Sequence, residues 1–420
     1  MRTGVRRVDT SKPAIHGGPK AKRTPCGSGR RFAGNEMLYL KKALDSNTLF
    51  YASGTFVKRA CEMMKKYTGR RYAVACTSGS AAVHLGCIAA GIGPGDEVIM
   101  TPHTDYGSAL GVIEEGAVPV FCDYDENLQP TVETVAARVT PRTKAVLVIH
   151  LAGYPAPAGE IAEWCSKRGI AVIEDCAQAW GTRLKGRRAG SFGLAACFST
   201  NDFKHISTGD GGFVVLDDPD LYRRVSNYAD KYYDRFFDRS LNQAHHGMNY
   251  RMSELQGAVA CAQLERVNEI TRRYHALGAR LERRLKGLKG GRMMQALPGG
   301  YSTYWWTLVE VDPSVMNAGR DEIVSALQAE GINAVSFGRY DLIQNRLFQE
   351  RVVRPWLADD RRFYPLVQPD GRSYTYSVDQ TPVHRRILHN GIQIAMNRFY
   401  TETDIDEIAE AILKVFRAFC

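Results

Sequence analysis

The sequence predicts an α/β fold in which helices cover both faces of a mostly parallel sheet. From about residue 72, short runs of Val, Ile and Ala recur, and helix-length segments such as 80–90 and 160–168 separate several of them. Strands that are apolar on both faces are typical of parallel sheets, because helices bury both sides of such a sheet. The predicted strands are 72–76, 97–100, 118–122, 145–151, 171–174, 195–199 and 212–216.

Length and composition agree with this fold class and indicate more than one domain. The chain has 420 residues, of which 44% are hydrophobic and 24% charged, as in ordinary globular proteins. Residues 219–290 are predicted to be helical, and a glycine-rich stretch at 287–292 interrupts the pattern. A second, smaller α/β block follows, with a strand near 305–311 and a last helix over 404–416. We therefore predict a basic N-terminal arm (1–31), a large domain (32–285) and a small C-terminal domain (286–420).

The start of the last helix has a recognisable sequence pattern. Thr401 is followed by Asp404, which is the spacing of a capping box with Asp in place of the usual Glu. The pattern places a helix N-terminus at this point.

The positive charge of the chain is concentrated at its N-terminus. The formal net charge is +10, and residues 1–31 contain nine of the 55 basic residues but only one acid, Asp9. Because the remainder is nearly neutral, we do not expect a basic binding face on the folded body. The arm is predicted to be a solvated, partly ordered tail, and no nucleic-acid partner is expected.

The cysteines and the apolar runs indicate the compartment. The ten cysteines are scattered with no C-x-x-C pair, so no zinc or iron–sulfur motif is present and no metal site is expected. Several lie in apolar runs, as is typical of proteins in a reducing compartment. No apolar run reaches 18 residues, and no apolar segment follows the basic N-terminus. We expect a cytoplasmic protein without a membrane partner.

The segment 75–80 has the pattern of a phosphate-binding turn. A buried strand ends there, small residues including Gly79 and Ser80 follow, and an Ala-rich helix begins. The N–H groups and the dipole of a helix N-terminus attract phosphate, and glycine lets the backbone approach closely. The alternative is that the serines in this segment only cap the helix.

Asp175 lies where another buried strand ends. The carboxyl edge of an open α/β sheet is where ligands bind, and a carboxylate there needs a partner to offset its loss of hydration. One interpretation is that Asp175 pairs with a cationic ring nitrogen. The alternative is that it caps the turn that follows.

Lys204 stands between an apolar strand and a glycine-rich stretch. Most lysines are solvated, whereas one held near a cationic cofactor has a lowered pKa and becomes a nucleophile. Three glycines after it are compatible with tight backbone next to a bulky ligand: Gly209, Gly211 and Gly212. A phosphate cradle, a partner for a pyridinium nitrogen and a Schiff-base lysine, in this order, predict a site for pyridoxal phosphate.

The motifs around these residues resemble the DegT/DnrJ/EryC1/StrS family of sugar aminotransferases. The likeness runs from about Phe32 to Arg266 and more weakly to the C-terminus. It rests on TSGSA at 77–81, GIGPGDEV at 91–98, GAVPVF at 116–121, IEDCAQA at 173–179, GDGG at 209–212 and GMNYRM at 247–252. The resemblance implies the fold-type I architecture of enzymes that use pyridoxal phosphate.

The resemblance also implies roles for individual residues around the cofactor ring. Lys204 would form the Schiff base and serve as the catalytic base and acid. Asp175 would keep the pyridine nitrogen protonated. Gln178 would lie near the ring hydroxyl, and Tyr106 would stack on the ring.

The remaining implied roles concern the phosphate group. Gly79, Ser80 and Ser199 would hold it from one chain, and Asn249 would reach it from the neighbouring subunit. A complete site would therefore need a homodimer.

The implied reaction transfers an amino group from glutamate or glutamine to the carbonyl of a keto-sugar or ketocyclitol, in amino-sugar or aminocyclitol biosynthesis. One alternative is a sugar dehydratase of the same superfamily, but such members have His where this chain has Lys204. Another is a non-catalytic regulatory protein that keeps the fold. The intact Lys204, Asp175 and phosphate turn oppose both.

Some segments depart from the family pattern or have two interpretations. Residues 394–399 replace a Pro-x-His segment of many members, near the substrate entrance, and GDGG replaces the usual GEGG. The loop 232–246 is interpreted either as a subunit interface or as a substrate wall. His205 is either catalytic or a packing residue, and Trp305 and Trp306 are expected in the core of the small domain.

Overall fold

The computed structural model describes residues 11–235, 237 and 245–420 of the chain. The helices are α1 Glu36–Asp45, α2 Phe56–Thr68, α3 Gly79–Ala90, α4 Gly107–Glu114, α5 Val132–Ala136, α6 Ala158–Ser166, α7 Pro219–Ala229, α8 Glu254–Arg284, α9 Arg320–Ala329, α10 Arg346–Glu350, α11 Pro382–Asn390 and α12 Glu402–Phe419. The strands are β1 Tyr72–Cys76, β2 Glu97–Met100, β3 Val118–Phe121, β4 Thr143–Ile149, β5 Ala171–Asp175, β6 Arg183–Leu184, β7 Arg187–Arg188, β8 Ala195–Ser199, β9 Gly212–Leu216, β10 Gly291–Met293, β11 Gly300–Tyr301, β12 Trp306–Val311, β13 Ala334–Ser336 and β14 Gly391–Ala395.

The large sheet is mostly parallel, as the sequence predicts. Its seven strands lie in the order β1-β9-β8-β5-β4-β2-β3. Only β9 runs against its neighbours β1 and β8, while the other pairs are parallel. The predicted strands match the observed ones within about two residues at each end. The predicted α/β class is therefore confirmed.

Helices bury both faces of this sheet. Along β9, Val214 packs into the cluster that contains Leu85 of α3, whereas Phe213 and Val215 pack into the cluster that contains Val57 of α2. This alternation follows from the two-residue period of a strand. Since both faces are apolar, polar groups are left to the strand ends, where the candidate site lies.

The C-terminal part of the chain builds a second, antiparallel sheet. Its order is β10-β12-β14-β13, and α12 covers it with an apolar face. The capping box at Thr401 is present: its hydroxyl accepts from the Asp404 N–H at 3.1 Å, and its own N–H donates to the Asp404 carboxylate at 2.7 Å. The division at residues 31 and 285 stays a prediction.

The N-terminal arm differs from the solvated tail that the charge pattern indicates. Ala21 and Lys22 are buried, and Lys22 forms ion pairs with Asp404 at 2.7 Å and Glu407 at 2.9 Å. Glu330 accepts from the Ala21 N–H at 2.6 Å. The expectation is therefore wrong for this segment, because two acids of α12 provide counter-charges. Residues 1–10 lie outside the described residues.

Within the described part of the chain, none of the helices combines the length and the apolar character that crossing a bilayer requires.

Candidate active site

The predicted site residues of the large domain gather at the carboxyl ends of its strands. Asp175 is the last residue of β5 and Ser199 the last residue of β8, two neighbouring parallel strands. Gly212, at the start of β9, pairs with Ser199 on one side and with Cys76 on the other. One edge of the sheet thus brings together segments that are more than 100 residues apart in sequence.

The turn after β1 has the close approach expected of a phosphate cradle. The Ser78 hydroxyl accepts from the Ala81 N–H at 3.0 Å, so Ser78 caps α3. A Cβ atom added to Gly79 would lie 2.6 Å from the Cβ of Ser199, so only glycine fits there. Ser80 is exposed at the open end of α3. The helix cap and a phosphate cradle therefore use different serines, and the two interpretations are compatible.

The carboxylate of Asp175 is buried and held by two hydrogen bonds. One oxygen accepts from the Ser108 hydroxyl at 2.7 Å, and the other accepts from the Ala177 N–H at 2.9 Å. Burial raises the pKa of Asp175, while these bonds and the charge of Lys204 act in the opposite direction. Because Ser108 and Ala177 fix the carboxylate plane, Asp175 caps its turn and still presents a preorganised negative charge.

Lys204 is buried as well, and burial lowers its pKa. The charges of Asp105 and Asp175 partly oppose this shift. Its Nζ lies 4.2 Å from the ring centroid of Trp305, and the Trp305 indole N–H donates to the carbonyl of Phe203 at 2.7 Å. A lysine with a lowered pKa beside an aromatic face has the properties of a nucleophilic amine.

Trp305 therefore corrects one expectation from the sequence. Trp306 is 5% exposed and belongs to the core, as expected. Trp305 is half-buried and contacts the Lys204 amine, so it belongs to the site. No pattern in the sequence distinguishes these adjacent tryptophans, because both precede or begin β12.

A small cavity lies next to Lys204 and contains further residues of the site. Gln178 lines it, with its side-chain oxygen accepting from the Ala152 N–H at 2.9 Å. The other lining residues are His103, Thr104, Asp105, Leu151, Trp305, Trp306 and Tyr340. Tyr106 stands half-buried immediately before α4. His103 and Tyr340 belong to no sequence motif described above, so only the fold brings them into the site.

His205 packs inside the protein. It is 1% exposed, its Nε2 is hydrogen-bonded to the Thr303 carbonyl at 3.2 Å, and its ring contacts the Tyr274 ring with centroids 4.7 Å apart. Burial lowers its pKa to about 3. These contacts favour the packing interpretation over a role as a titrating catalytic base.

Two of the glycines after Lys204 are required by protein contacts. A Cβ on Gly211 would lie 2.5 Å from the hydroxyl oxygens of Thr200 and Thr208, and one on Gly212 would lie 2.4 Å from the carbonyl oxygen of Ser78. Gly211 and Gly212 are therefore needed because the chain packs closely on itself, and not because a bulky ligand lies next to them.

Asn249 is exposed, and its backbone forms a bridge with Asp230. A second bridge, between Cys76 and Arg251, places this segment beside the end of β1 in the same chain. In the loop 232–246, Arg235 forms an ion pair with Asp230. The five residues proposed for a substrate wall are described, and the ring of Tyr232 contacts the ring of His245 with centroids 4.9 Å apart. Residues 236 and 238–244 lie outside the described residues, and the choice between the two interpretations stays a prediction.

One buried cluster has the composition of a metal site. Ligand atoms of His150, Glu174 and Cys176 lie within 4.8 Å of one another. However, both ring nitrogens of His150 are engaged, with Glu174 at 3.0 Å and with the Ala156 N–H at 3.0 Å. Glu174 also accepts N–H bonds from residues 190, 192 and 193. These bonds identify the cluster as a hydrogen-bond network between strand ends.

Comparisons with known proteins agree with this geometry. The chain is 34% identical over 308 residues to a GDP-perosamine synthase of Caulobacter vibrioides, which covers 72% of this chain and 81% of that relative. It is 35% identical over 289 residues to a UDP-N-acetyl-3-dehydro-alpha-D-glucosamine 3-aminotransferase of Acidithiobacillus ferrooxidans. This match covers 67% of this chain and 74% of that relative.

Solved structures with the same architecture include an aminotransferase from Psychrobacter cryohalolentis, with a TM-score of 0.80 at 26% identity over 94% of this chain and 99% of that one. A 3-amino-5-hydroxybenzoic acid synthase matches with a TM-score of 0.79 at 25% identity, over 95% of this chain and 100% of that one. Residues 31–355 match the family model of the DegT/DnrJ/EryC1/StrS aminotransferases. The chain belongs to the DegT/DnrJ/EryC1/StrS aminotransferase family.

Proposed function

We propose that this aminotransferase uses pyridoxal phosphate to move an amino group from glutamate or glutamine to the carbonyl of a keto-sugar or ketocyclitol. The observation that carries the proposal is the buried amine of Lys204 in the field of the buried carboxylate of Asp175. The named relatives make or aminate nucleotide-linked sugars. Their names support amino-sugar biosynthesis as the pathway of this chain.

The residues present fit the cofactor. Asp175 offers a fixed carboxylate for a ring cation, and Lys204 offers an amine whose pKa is lowered by burial. Gly79 and Ser199 meet at the N-terminus of α3, a helix of twelve residues whose dipole attracts phosphate. These are the three kinds of group that pyridoxal phosphate needs.

When bound, pyridoxal phosphate supplies a ring system that stabilises the charge left on the amino-acid Cα when its proton is removed. Nζ of Lys204 then takes the proton from Cα and later returns one, because burial favours its neutral form. Asp175 would hold the ring nitrogen of the bound cofactor and favour its positive charge, and the Ser108 hydroxyl holds that carboxylate in place. Trp305 covers the amine and limits the access of water.

The cavity that Trp305 shares with Gln178 contains groups that suit a hydroxyl-rich ring as the amino acceptor. Its lining combines aromatic side chains, such as Trp305 and Tyr340, with the amide of Gln178 and the carboxylate of Asp105. Burial keeps His103 neutral by lowering its pKa well below the ordinary value. Aromatic faces and uncharged hydrogen-bonding groups suit hydroxyl-rich rings, which carry both C–H faces and O–H groups.

We also propose a homodimer, in which Asn249 acts at the phosphate of the partner's site. Asn249 is exposed, and large apolar side chains near it in the fold, Phe50 and Met248 among them, are exposed as well. Burial of such groups at a subunit interface would be favourable. The ten cysteines are unpaired, which supports a cytoplasmic location.

The test is an absorbance scan followed by reduction and peptide mapping. Purified protein is expected to absorb near the visible edge, and borohydride is expected to remove this band and label Lys204. Lys204→Ala should lose both the label and turnover, whereas Lys286→Ala, an exposed lysine, should keep both. Labelling at another lysine, or turnover retained by Lys204→Ala, would refute the assignment. Assays of keto-sugars and ketocyclitols with each donor then identify the substrates.

A further inference from the structure

Three arginines from distant parts of the chain meet beside the lysine segment. Arg31 of the arm donates from Nη2 to the backbone carbonyl of Lys204. Arg398, which follows β14, donates from Nη2 to the carbonyl of Arg31 at 2.8 Å. Arg266 of α8 is close enough for its charge to lower the pKa of Arg398. Arg31 therefore contacts the Lys204 backbone, Arg398 contacts Arg31, and Arg266 lies within electrostatic range of Arg398.

Each of the three retains a buried nitrogen that has no hydrogen-bond partner in the described part of the chain. These atoms are Nε of Arg31, Nη1 of Arg266 and Nη1 of Arg398. Arg398 as a whole is only 8% exposed. These N–H donors are therefore inaccessible to bulk water and have no hydrogen-bond acceptor among the described residues.

Nearby carboxylates compensate the charge of this cluster only in part. Among the described residues, the carboxylates nearest to Arg266 are Glu36 at 3.8 Å and Glu269 at 3.9 Å, beyond hydrogen-bonding distance. Glu36 instead accepts from the side chain of Gln263 at 2.6 Å and from the Gly34 N–H at 2.7 Å. Arg31 and Arg398 form no ion pair with any described residue.

The arrangement is electrostatically incomplete. Burial lowers the pKa of Arg31 and of Arg398, and the like charges lower that of Arg398 further. The charges of Asp202 on Arg31 and of Glu269 on Arg398 oppose these shifts without reversing them. Guanidinium groups nevertheless stay protonated at physiological pH, so the cluster keeps its positive charge. Buried charges whose counter-charges are few and not hydrogen-bonded to them are costly, and a ligand anion that supplies the missing contacts would reduce that cost.

Arg70 shows how this protein treats a structural buried arginine. Its Nε donates to the Gly190 carbonyl at 2.9 Å, and its Nη1 forms an ion pair with Asp217 at 2.6 Å. Its Nη2 donates to the Gly193 carbonyl at 2.5 Å. Every nitrogen of Arg70 has an acceptor, whereas each arginine of the three-arginine cluster has one buried nitrogen without a hydrogen bond. Arg138 and Arg188 also have one such nitrogen each, and what sets the cluster apart is that three of these arginines are neighbours.

We infer that Arg31, Arg266 and Arg398 form a binding site for an oxyanion group of a substrate. The inference rests on the proposed function, in which each half-reaction brings an anion to Lys204: the carboxylate of the amino donor, or the phosphate of a nucleotide-linked acceptor. Both offer oxygens that match guanidinium donors. Arg398 lies in the segment 394–399, where this chain departs from the Pro-x-His of many family members.

The first measurement uses two unreactive probes, glutarate for a dicarboxylate and inorganic phosphate for a phosphate group. Thermal-shift and calorimetric titrations of the wild-type holoenzyme are expected to show saturable binding of at least one probe. Arg398→Gln and Arg266→Gln should weaken that binding by about tenfold to a hundredfold, since each removes a charge-assisted contact. Arg417→Gln, an exposed arginine of α12, is the matched control and should bind normally.

The second measurement assigns the site to one substrate. If the probe is glutarate, Arg398→Gln should raise the KM of the amino donor and leave that of the acceptor unchanged. If the probe is phosphate, the reverse is expected. Arg398→Lys, which keeps the charge, should recover part of the affinity in either case.

Absence of binding by both probes, or equal binding by Arg266→Gln and the wild type, would overturn the inference. It would also be overturned if all KM values were unchanged in Arg398→Gln. The visible band and its loss with borohydride are measured in every variant. A variant that keeps both but binds no differently from the wild type refutes the oxyanion site and leaves the proposed function standing.

Discussion

Lys22 of the arm provides a direct test of how the arm is held. Its side chain is 5% exposed, and Nζ contacts Asp404 at 2.7 Å, Glu407 at 2.9 Å and the carbonyl of Thr24 at 2.5 Å. The substitution Lys22→Met keeps the length of the side chain and removes the charge. Asp404 and Glu407 would then face each other in a buried region without their cation.

Removing one partner of a buried ion pair costs about 3–5 kcal/mol, because an uncompensated charge is left behind. Two carboxylates depend on Lys22, which places the initial cost at the upper end of this range. Detachment of the arm would rehydrate both acids, so the free energy that docks the arm limits the loss. We therefore expect Lys22→Met to lower the free energy of unfolding by about 3 kcal/mol at pH 7.

The effect should depend on pH with a definite sign. Lys22 and its hydrogen bonds hold the pKa values of Asp404 and Glu407 below their ordinary values, so their stabilisation is present above about pH 4 and is lost as pH falls. The pKa of Lys22 is raised, so its contribution is lost only at strongly alkaline pH. The difference between Lys22→Met and the wild type should therefore shrink as the pH falls below about 4.

Urea unfolding followed by circular dichroism measures this difference, with Lys20→Met as the control because Lys20 is exposed. Trypsin provides a second readout, since detachment of the arm should speed cleavage after Arg23. The reasoning would be refuted if Lys22→Met stayed within about 1 kcal/mol of the control and was cleaved at the wild-type rate. A constant difference between pH 7 and pH 3 would refute the electrostatic part alone.

The other predictions concern the proposed cofactor site. Asp175→Asn should lower kcat by about 10²-fold or more, since the amide cannot hold a ring cation. Light scattering should show the same oligomeric state as for the wild type. A normal kcat would mean that Asp175 only caps its turn. Ser108→Ala should lower kcat by a smaller factor, because the Ala177 N–H still orients the carboxylate; a loss as large as that of Asp175→Asn would contradict this. Asn249→Ala should weaken cofactor affinity by about one to two decades, measured by fluorescence titration. Mixing Lys204→Ala with Asn249→Ala, at a cofactor concentration too low to occupy the Asn249→Ala site, should restore part of the activity, because about half of the chains then enter mixed dimers with one intact site.

The parts of the fold that the sequence predicts well are local in the chain. The strand 72–76, the turn and the helix from Gly79 are consecutive, and each has its own pattern of apolar, small and helix-forming residues. The same holds for the capping box at Thr401, where two residues three positions apart satisfy each other. Such patterns can be interpreted without knowing what packs against them.

The contacts that the sequence leaves open join residues far apart. Lys22 meets Asp404 across 382 positions, and Arg31 meets Lys204 across 173. From the sequence alone, Lys22 is one of nine basic residues in a charged segment, and nothing separates it from its exposed neighbour Lys20. Only the fold shows which of these charges finds a buried acid.

Asn249 shows where this limit affects the site itself. The resemblance assigns its side chain to the partner's phosphate, while the bridge between Cys76 and Arg251 brings its segment to the end of β1 in its own chain. In one placement Asn249 acts at the phosphate turn of its own chain, and in the other it acts at that of the partner. A dimer axis close to this turn would bring the two copies of the segment together, so that both placements are geometrically possible. Affinity measurements on Asn249→Ala alone respond equally to either placement.

The mixed dimer separates the two placements. If Asn249 served its own chain, each site of the mixed dimer would carry one defect and activity would not return. Failure of recovery, with subunit exchange demonstrated, would therefore refute the shared site and leave the roles of Lys204 and Asp175 untouched.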